Sequence, residues 1–289
     1  MTEVTMVPII HAIIAAFFFG AQAIVASRSF KYVDPQTSSM IAIGTCVVFF
    51  WLLAPFKMSA DYFRNPGMLV FMANGLIHPL FSMYLVFEAN KRMGATVSST
   101  ISSTTPLFAA ACAALMLGEK PSISLLMGTL GTILGVMILS WKRSGPTTWA
   151  LAALFFPIGT AVVRGMNQTI GKLGLEMLPS PFYASIVSFT ISFAGSVLIY
   201  RLRVGALPLK LPAGGLRWSA LAGLFIGIGV LFMYSALNTG LVIVVSPVIS
   251  TSPLFAFLLS LLLRQEVLSK RLLLGVIFVV GGVIWISLQ

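Results

Sequence analysis

Charge is scarce in this chain, and negative charge scarcest: 9% of the 289 residues are charged, with 7 Asp and Glu against 18 Lys and Arg. Soluble domains carry about 25% charged residues, so an ordinary water-exposed globule is excluded. Cysteine is nearly absent. The 2 present, Cys46 and Cys112, both sit inside apolar runs, which leaves neither a disulfide framework nor a Cys-based metal site. No HExxH, Gly-x-Ser-x-Gly or acidic pair falls within the apolar runs, so a membrane-embedded hydrolase lacks its nucleophile, base or metal. What is abundant is hydrocarbon: 58% of residues are hydrophobic and the mean hydropathy is +1.01. A net charge of +11 on a soluble protein would suggest nucleic acid or acidic partners. In a bilayer protein it reflects basic cytoplasmic loops.

A transmembrane helix needs about 20 mostly apolar residues. Ten such runs are found, near 7–26, 36–56, 67–87, 95–117, 122–141, 148–168, 181–200, 218–237, 241–263 and 271–288. Their continuous apolarity excludes a β-barrel, whose strands alternate, and predicts an all-α integral membrane protein. Nothing basic precedes the first run, which follows Met1, Thr2, Glu3 and Val4, so a retained span is expected rather than a cleaved signal. Thirteen Lys and Arg follow odd-numbered spans and four follow even-numbered ones, and Arg164 alone lies inside a span. The positive-inside rule then predicts odd loops in the cytoplasm and both termini outside it. Compact length suggests a bacterial inner membrane.

The chain repeats itself at an offset of 147. Thr105, Pro106, Leu107 and Phe108 align with Ser252, Pro253, Leu254 and Phe255. In the same register Ser99, Ser103, Thr104, Glu119, Gly128, Gly135 and Ser140 meet Ser246, Ser250, Thr251, Glu266, Gly275, Gly282 and Ser287, and Phe87 and Ala89 meet Tyr234 and Ala236. A gapless register of this kind marks duplication. The basic, turn-forming stretch Lys142, Arg143, Ser144, Gly145, Pro146 predicts the join, giving a first repeat at 1–143 and a second at 147–289. Five spans per repeat is odd, so the second repeat enters the membrane inverted. Inverted repeats are the plan of secondary transporters, which hold substrate near the midplane and rock around it.

These residues resemble the drug/metabolite transporter superfamily, in its EamA-type ten-helix members. The resemblance rests on Phe87 and Ala89, Ser99 to Pro106, Gly118 with Glu119, and Gly128 to Gly135. In the second half it rests on Tyr234 and Ala236, Ser246 to Pro253, Glu266, and Gly275 to Gly282, with Gln265 standing where Gly would precede Glu266. It implies an α-helical carrier with a central cavity that moves small metabolites without ATP hydrolysis, and it says little about substrate.

Polar residues found in one half only are the better candidates for reading an asymmetric substrate. Asn74, His78 and Ser82 recur every four residues, which places them on one helical face; 147 residues on stand Leu221, Phe225 and Gly229. Asn74 and His78 could equally bond neighbouring helices. Thr160, Arg164, Asn167 and Gln168 form a second stripe, with Arg164 close enough to the end of its expected span to snorkel to the interface. Facing a cavity instead, its guanidinium would pair a carboxylate or phosphate through two parallel bonds. Gln22 and His11 in the first span complete the inventory of polar candidates, and Trp51, Tyr84, Tyr183 and Tyr234 are candidate cavity aromatics, although interfacial belts account for many such rings. Glu119 and Glu266, present in both halves, are expected to be scaffold: caps, or loop salt bridges with Lys120 and Arg264. Glu88 is expected to pair with Lys91 or Arg92. None of the 7 carboxylates falls near a span midpoint, which disfavours proton-driven efflux of organic cations; His78 or His11 could still couple protons. The function expected is export of a small polar metabolite, an amino acid or related carboxylate-bearing compound, by alternating access, with the bilayer as partner and no cofactor or metal. Proton-coupled multidrug or organic-cation efflux is the competing reading.

Overall fold

The computed structural model describes residues 6–93, 98, 101–140, 151–205, 211–264 and 270–288. Its helices are α1 (Met6–Ser29), α2 (Pro35–Lys57), α3 (Gly67–Gly75), α4 (Ser82–Met93), α5 (Thr105–Met116), α6 (Ile123–Ser140), α7 (Phe155–Met177), α8 (Pro181–Val204), α9 (Ala213–Thr239), α10 (Val242–Ile249), α11 (Ser252–Leu262) and α12 (Lys270–Ser287). Six helical segments are long and apolar enough to cross a membrane: α1, α2, Pro181–Leu202 of α8, α9, the α10–α11 pair and α12. Gly67–His78, Thr105–Met116 and Ile123–Leu139 are shorter apolar stretches. The remaining long helix, α7, carries Arg164, Lys172 and Glu176. The result is an all-α membrane fold with helices at all ten expected spans.

Packing follows a pseudo-two-fold axis. α1 lies along α9, while α3 and α4 lie along α7; α1 also packs on α11 as α7 packs on α5, and α6 crosses α12. The crossing of α6 and α12 is glycine to glycine. A Cβ on Gly282 would lie 2.7 Å from the Gly128 carbonyl oxygen, and one on Gly135 would lie 2.8 Å from that of Gly275. Because Gly128 and Gly135 are the repeat partners of Gly275 and Gly282, the contact is made twice in opposite sense. Small residues let backbones approach this closely.

Three spans expected as continuous are broken. In the third, a π turn over Leu76–Phe81 separates α3 from α4, with His78 extended at φ −138°, ψ 131°. Pro79 explains the angle, since a residue preceding proline is pushed out of the α region. The repeat register shows the same break. Gly75 is pressed against the Ser188 backbone as Gly223 is against Ala42, an offset of 148, whereas the buried pair Ala89 and Ala236 keeps 147. The first half therefore holds one additional residue across the break, which is what a π-bulge accommodates.

The fourth and ninth spans break at matching points. Thr104 (φ −75°, ψ 0°) precedes α5 and Thr251 (φ −77°, ψ 1°) precedes α11. Thr104 Oγ1 donates to the Ile101 carbonyl at 2.8 Å, and Thr251 Oγ1 donates to that of Val248 at 2.7 Å. Pro106 and Pro253 occupy the first turns that follow, where a missing N–H costs nothing.

Candidate functional site

Arg164 is the tenth residue of the 23-residue α7, about 14 Å along its axis at 1.5 Å per residue. The helix that carries it runs Phe155–Met177 rather than 148–168, so Arg164 lies in its first half and not near its end. Arg164 is exposed although protein atoms crowd around it. Gly171, seven residues on and hence on nearly the same face, abuts the Tyr234 ring and the Asn74 amide. Arg164 thus points into the space where α3 and α9 face α7. Among the described residues it has no ion pair or hydrogen bond, and His78 lies within its electrostatic reach.

His78 stands on the extended residue of the π turn rather than on a regular helical face, so the every-four spacing of Asn74, His78 and Ser82 does not hold across the break. Proline ends the periodicity. His78 is half-buried, while Asn74 and Ser82 are buried, at 0% and 3% exposure. Asn74 Nδ2 donates to the Asn167 carbonyl at 3.2 Å and to the Tyr234 hydroxyl oxygen at 3.0 Å. Ser188 extends the network: its hydroxyl donates to the Phe71 carbonyl at 3.1 Å and lies 3.5 Å from the Tyr234 hydroxyl. Ser192 donates to the Gly75 carbonyl at 2.6 Å, satisfying one of the carbonyls around the break. Asn74 Oδ1 and Gln168 Oε1 are buried without a partner.

Of the expected site residues, then, Asn74 meets the Asn167 carbonyl at the α3–α7–α9 junction, Gln168 is buried on α7, and His78 and Arg164 lie within electrostatic reach of each other. Thr160 is buried and its hydroxyl is occupied by the Phe156 carbonyl at 2.9 Å. Gln22 is half-buried on α1 and makes no side-chain hydrogen bond among the described residues. The side chain of Tyr84 lies outside the described part of the structure. Ser188 is the residue that sequence reasoning missed here. Tyr234, weighed as cavity lining against an interfacial belt, is 2% exposed, inside the bundle; its place in the repeat opposite Phe87 carries no hint of the asymmetric hydroxyl contact.

The asymmetry also shifts in register. Gly20 packs on Phe255 and Ala256 as Gly165 packs on Phe108 and Ala109, an offset of 145 for the first and sixth spans. Phe19 is therefore the counterpart of Arg164, and with the 148 offset before the π turn Ala222 is the counterpart of Asn74. These replace the positions given by a uniform shift of 147.

Glu119 is a cap, but of a helix in the other half. Its two carboxylate oxygens accept from Val242 N (2.9 Å) and Ile243 N (3.0 Å), the first-turn donors of α10 that have no intrahelical partner. The salt bridge expected with Lys120 is not formed; Glu119 is 8% exposed while Lys120 faces outward. Glu266 lies outside the described residues, as does the 142–146 join. Glu88 pairs with Arg92 at 3.0 Å as expected, and Arg92 also lies 4.5 Å from the Phe156 ring centre.

Relatives support this architecture. A protein from Archaeoglobus fulgidus described as an uncharacterized transporter is 21% identical over 291 residues, covering 98% of this chain and 99% of its own. A solved crystal structure superposes with a TM-score of 0.82 at 16% identity, covering 97% of this chain and 96% of the other, a likeness of fold alone. The model of the EamA-like transporter family matches residues 6–141 and again 150–288. With the family matched once in each half of an all-helical, inverted-repeat membrane protein, the chain belongs to the EamA-like transporters of the drug/metabolite transporter superfamily.

Proposed function

We propose that this transporter is a carrier that exports a small carboxylate-bearing polar metabolite, such as an amino acid, across a bacterial inner membrane by alternating access between repeats 1–143 and 147–289, with both termini outside the cytoplasm. The observation that carries the proposal is Arg164: an unpaired guanidinium at mid-helix, aimed into the bundle. A cation within a span is costly and is retained where a pathway or partner requires it, and guanidinium geometry matches carboxylate. Gln168, one turn on along the same face of α7, and Asn74 on α3 supply neutral hydrogen-bonding groups for the rest of the solute. His78, within electrostatic reach, is the group through which a proton could be coupled. No enzymatic step is assigned.

Flux of a labelled solute panel in proteoliposomes tests this. Carboxylate-bearing solutes are expected to move, with loss on Arg164→Gln. Transport of cationic dyes with proton release, unaffected by Arg164→Gln, would favour organic-cation efflux instead.

A further inference from the structure

A second basic feature lies far from Arg164, where the end of α1 meets the start of α9. A cleft of about 350 Å³ opens there, lined by Tyr32, Gly214, Arg217, Trp218 and Leu221. The Arg28 guanidinium sits 5.0 Å from the Trp218 ring centre. α1 ends at Ser29 and α9 begins at Ala213, so the cleft lies at the end of two membrane-spanning helices, where headgroups begin and where Trp and Tyr rings settle. Leu221, one turn deeper than Trp218, gives it an apolar floor. Neither guanidinium has a carboxylate partner among the described residues. Asp34, close by in sequence, is occupied by Thr37, whose amide and hydroxyl both donate to its carboxylate.

The inverted repeat supplies an internal control. A Cβ on Gly215 would touch Tyr32 and Val33, and one on Gly67 would touch Met177 and Leu178, so the same helix-end junction is built again on the opposite face. The two registers, 148 for α9 onto α3 and 145 for α1 onto α7, then place Leu69 opposite Arg217, Val70 opposite Trp218 and Leu173 opposite Arg28. Glu176 stands opposite Lys31. Scaffold is shared by both faces; the indole and the two guanidiniums around it belong to one, whereas the other carries Lys172 with Glu176 at the end of α7 and Arg64 ahead of α3. A fold requirement would have appeared twice, whereas a ligand confined to one leaflet asks for the chemistry once.

We infer that this cleft binds the phosphodiester headgroup of an anionic phospholipid, with Arg217 and the Trp218-stacked Arg28 on the phosphate oxygens and an acyl chain running down past Leu221. Basic pockets between helix ends attract such headgroups, each Arg or Lys near the surface adding to the attraction.

The test is lipid retention by the full-length protein, reconstituted in nanodiscs of equal phosphatidylglycerol and phosphatidylcholine and released for native mass spectrometry. Preferential retention of phosphatidylglycerol is expected, reduced roughly fivefold by Arg217→Gln and similarly by Arg28→Gln. Arg201→Gln removes an equal charge from an exposed position at the end of α8 and is expected to leave retention unchanged. Equal retention of both lipids, or equal loss in all three variants, overturns the site in favour of net charge alone. Displacement of the lipid by millimolar inorganic phosphate would overturn the headgroup assignment in favour of a soluble anion. Should Arg217→Gln fail to fold, the comparison of Arg28→Gln with Arg201→Gln decides the question.

Discussion

At the scale of single residues, Arg164 bears the functional weight. Centring a cation in a span costs about 2.5–3.5 kcal/mol on insertion scales, and nothing among the described residues offsets it. Arg164→Gln is therefore expected to leave the melting temperature in detergent unchanged or higher, while solute flux falls at least about tenfold, one charge-assisted contact being worth about 1.5–3 kcal/mol. Arg164→Lys should recover only part of the flux, because an ammonium lacks the guanidinium fork. Asn74 is the contrasting case. Its amide ties α3 to the Asn167 carbonyl and the Tyr234 hydroxyl, so Asn74→Leu should lower stability by about 0.6–1.7 kcal/mol, the range for polar contacts between membrane helices, read by thermal melting. Both residues were legible in the sequence as polar intrusions into apolar runs. Their different roles were not, because spacing within one helix says nothing of what stands across from it: Asn74 meets a tyrosine and a backbone carbonyl, whereas Arg164 has no hydrogen-bond partner among the described residues.

Element-scale features turn on how helix ends are satisfied. Glu119 caps α10 across the repeat interface, so Glu119→Ala leaves two buried N–H groups without acceptors, a loss of about 1–3 kcal/mol for each. Glu119→Gln keeps one carbonyl acceptor and should lose less; thermal melting of both variants orders them. If Glu119→Ala melts like the wild type, the cap is not supporting the ninth span. At the start of α2, Asp34 caps Thr37 N at 3.0 Å. Burial alone would push its carboxyl up, but hydrogen bonds from the Thr37 hydroxyl and the backbone outweigh this and hold it below its ordinary value of 3.8. A lowered value means the folded state favours the carboxylate. Its stabilising contribution is complete above the ordinary value and disappears as pH falls through the lowered one, so the melting temperatures of wild type and Asp34→Asn should converge in acid and separate by pH 6. The spans themselves were readable from apolar length, yet the breaks in them were not all so. Pro79 and Pro106 stand at two of the breaks, but whether proline kinks a helix or begins a new one depends on neighbours such as Ser192, which donates to a carbonyl at the break.

For the whole molecule, the inverted duplication organises everything else, and it was the most legible feature because Gly, Pro and Glu recur in one register. The α6–α12 crossing shows why the glycines recur: a side chain at Gly282 would collide with the Gly128 carbonyl and Thr132. Gly282→Leu should abolish a monodisperse peak in detergent size-exclusion chromatography, whereas Gly281→Leu, with nothing within 4 Å of its Cβ position, should keep it. What a uniform register could not show is where the halves differ in length, at the π turn and in the first span, and those offsets decide that Phe19 mirrors Arg164. The most direct test of the central claim is counterflow: proteoliposomes loaded with an unlabelled carboxylate-bearing amino acid should draw in its labelled form through the wild-type protein and not through Arg164→Gln. Equal counterflow by both proteins would contradict a carrier whose substrate site is built on Arg164.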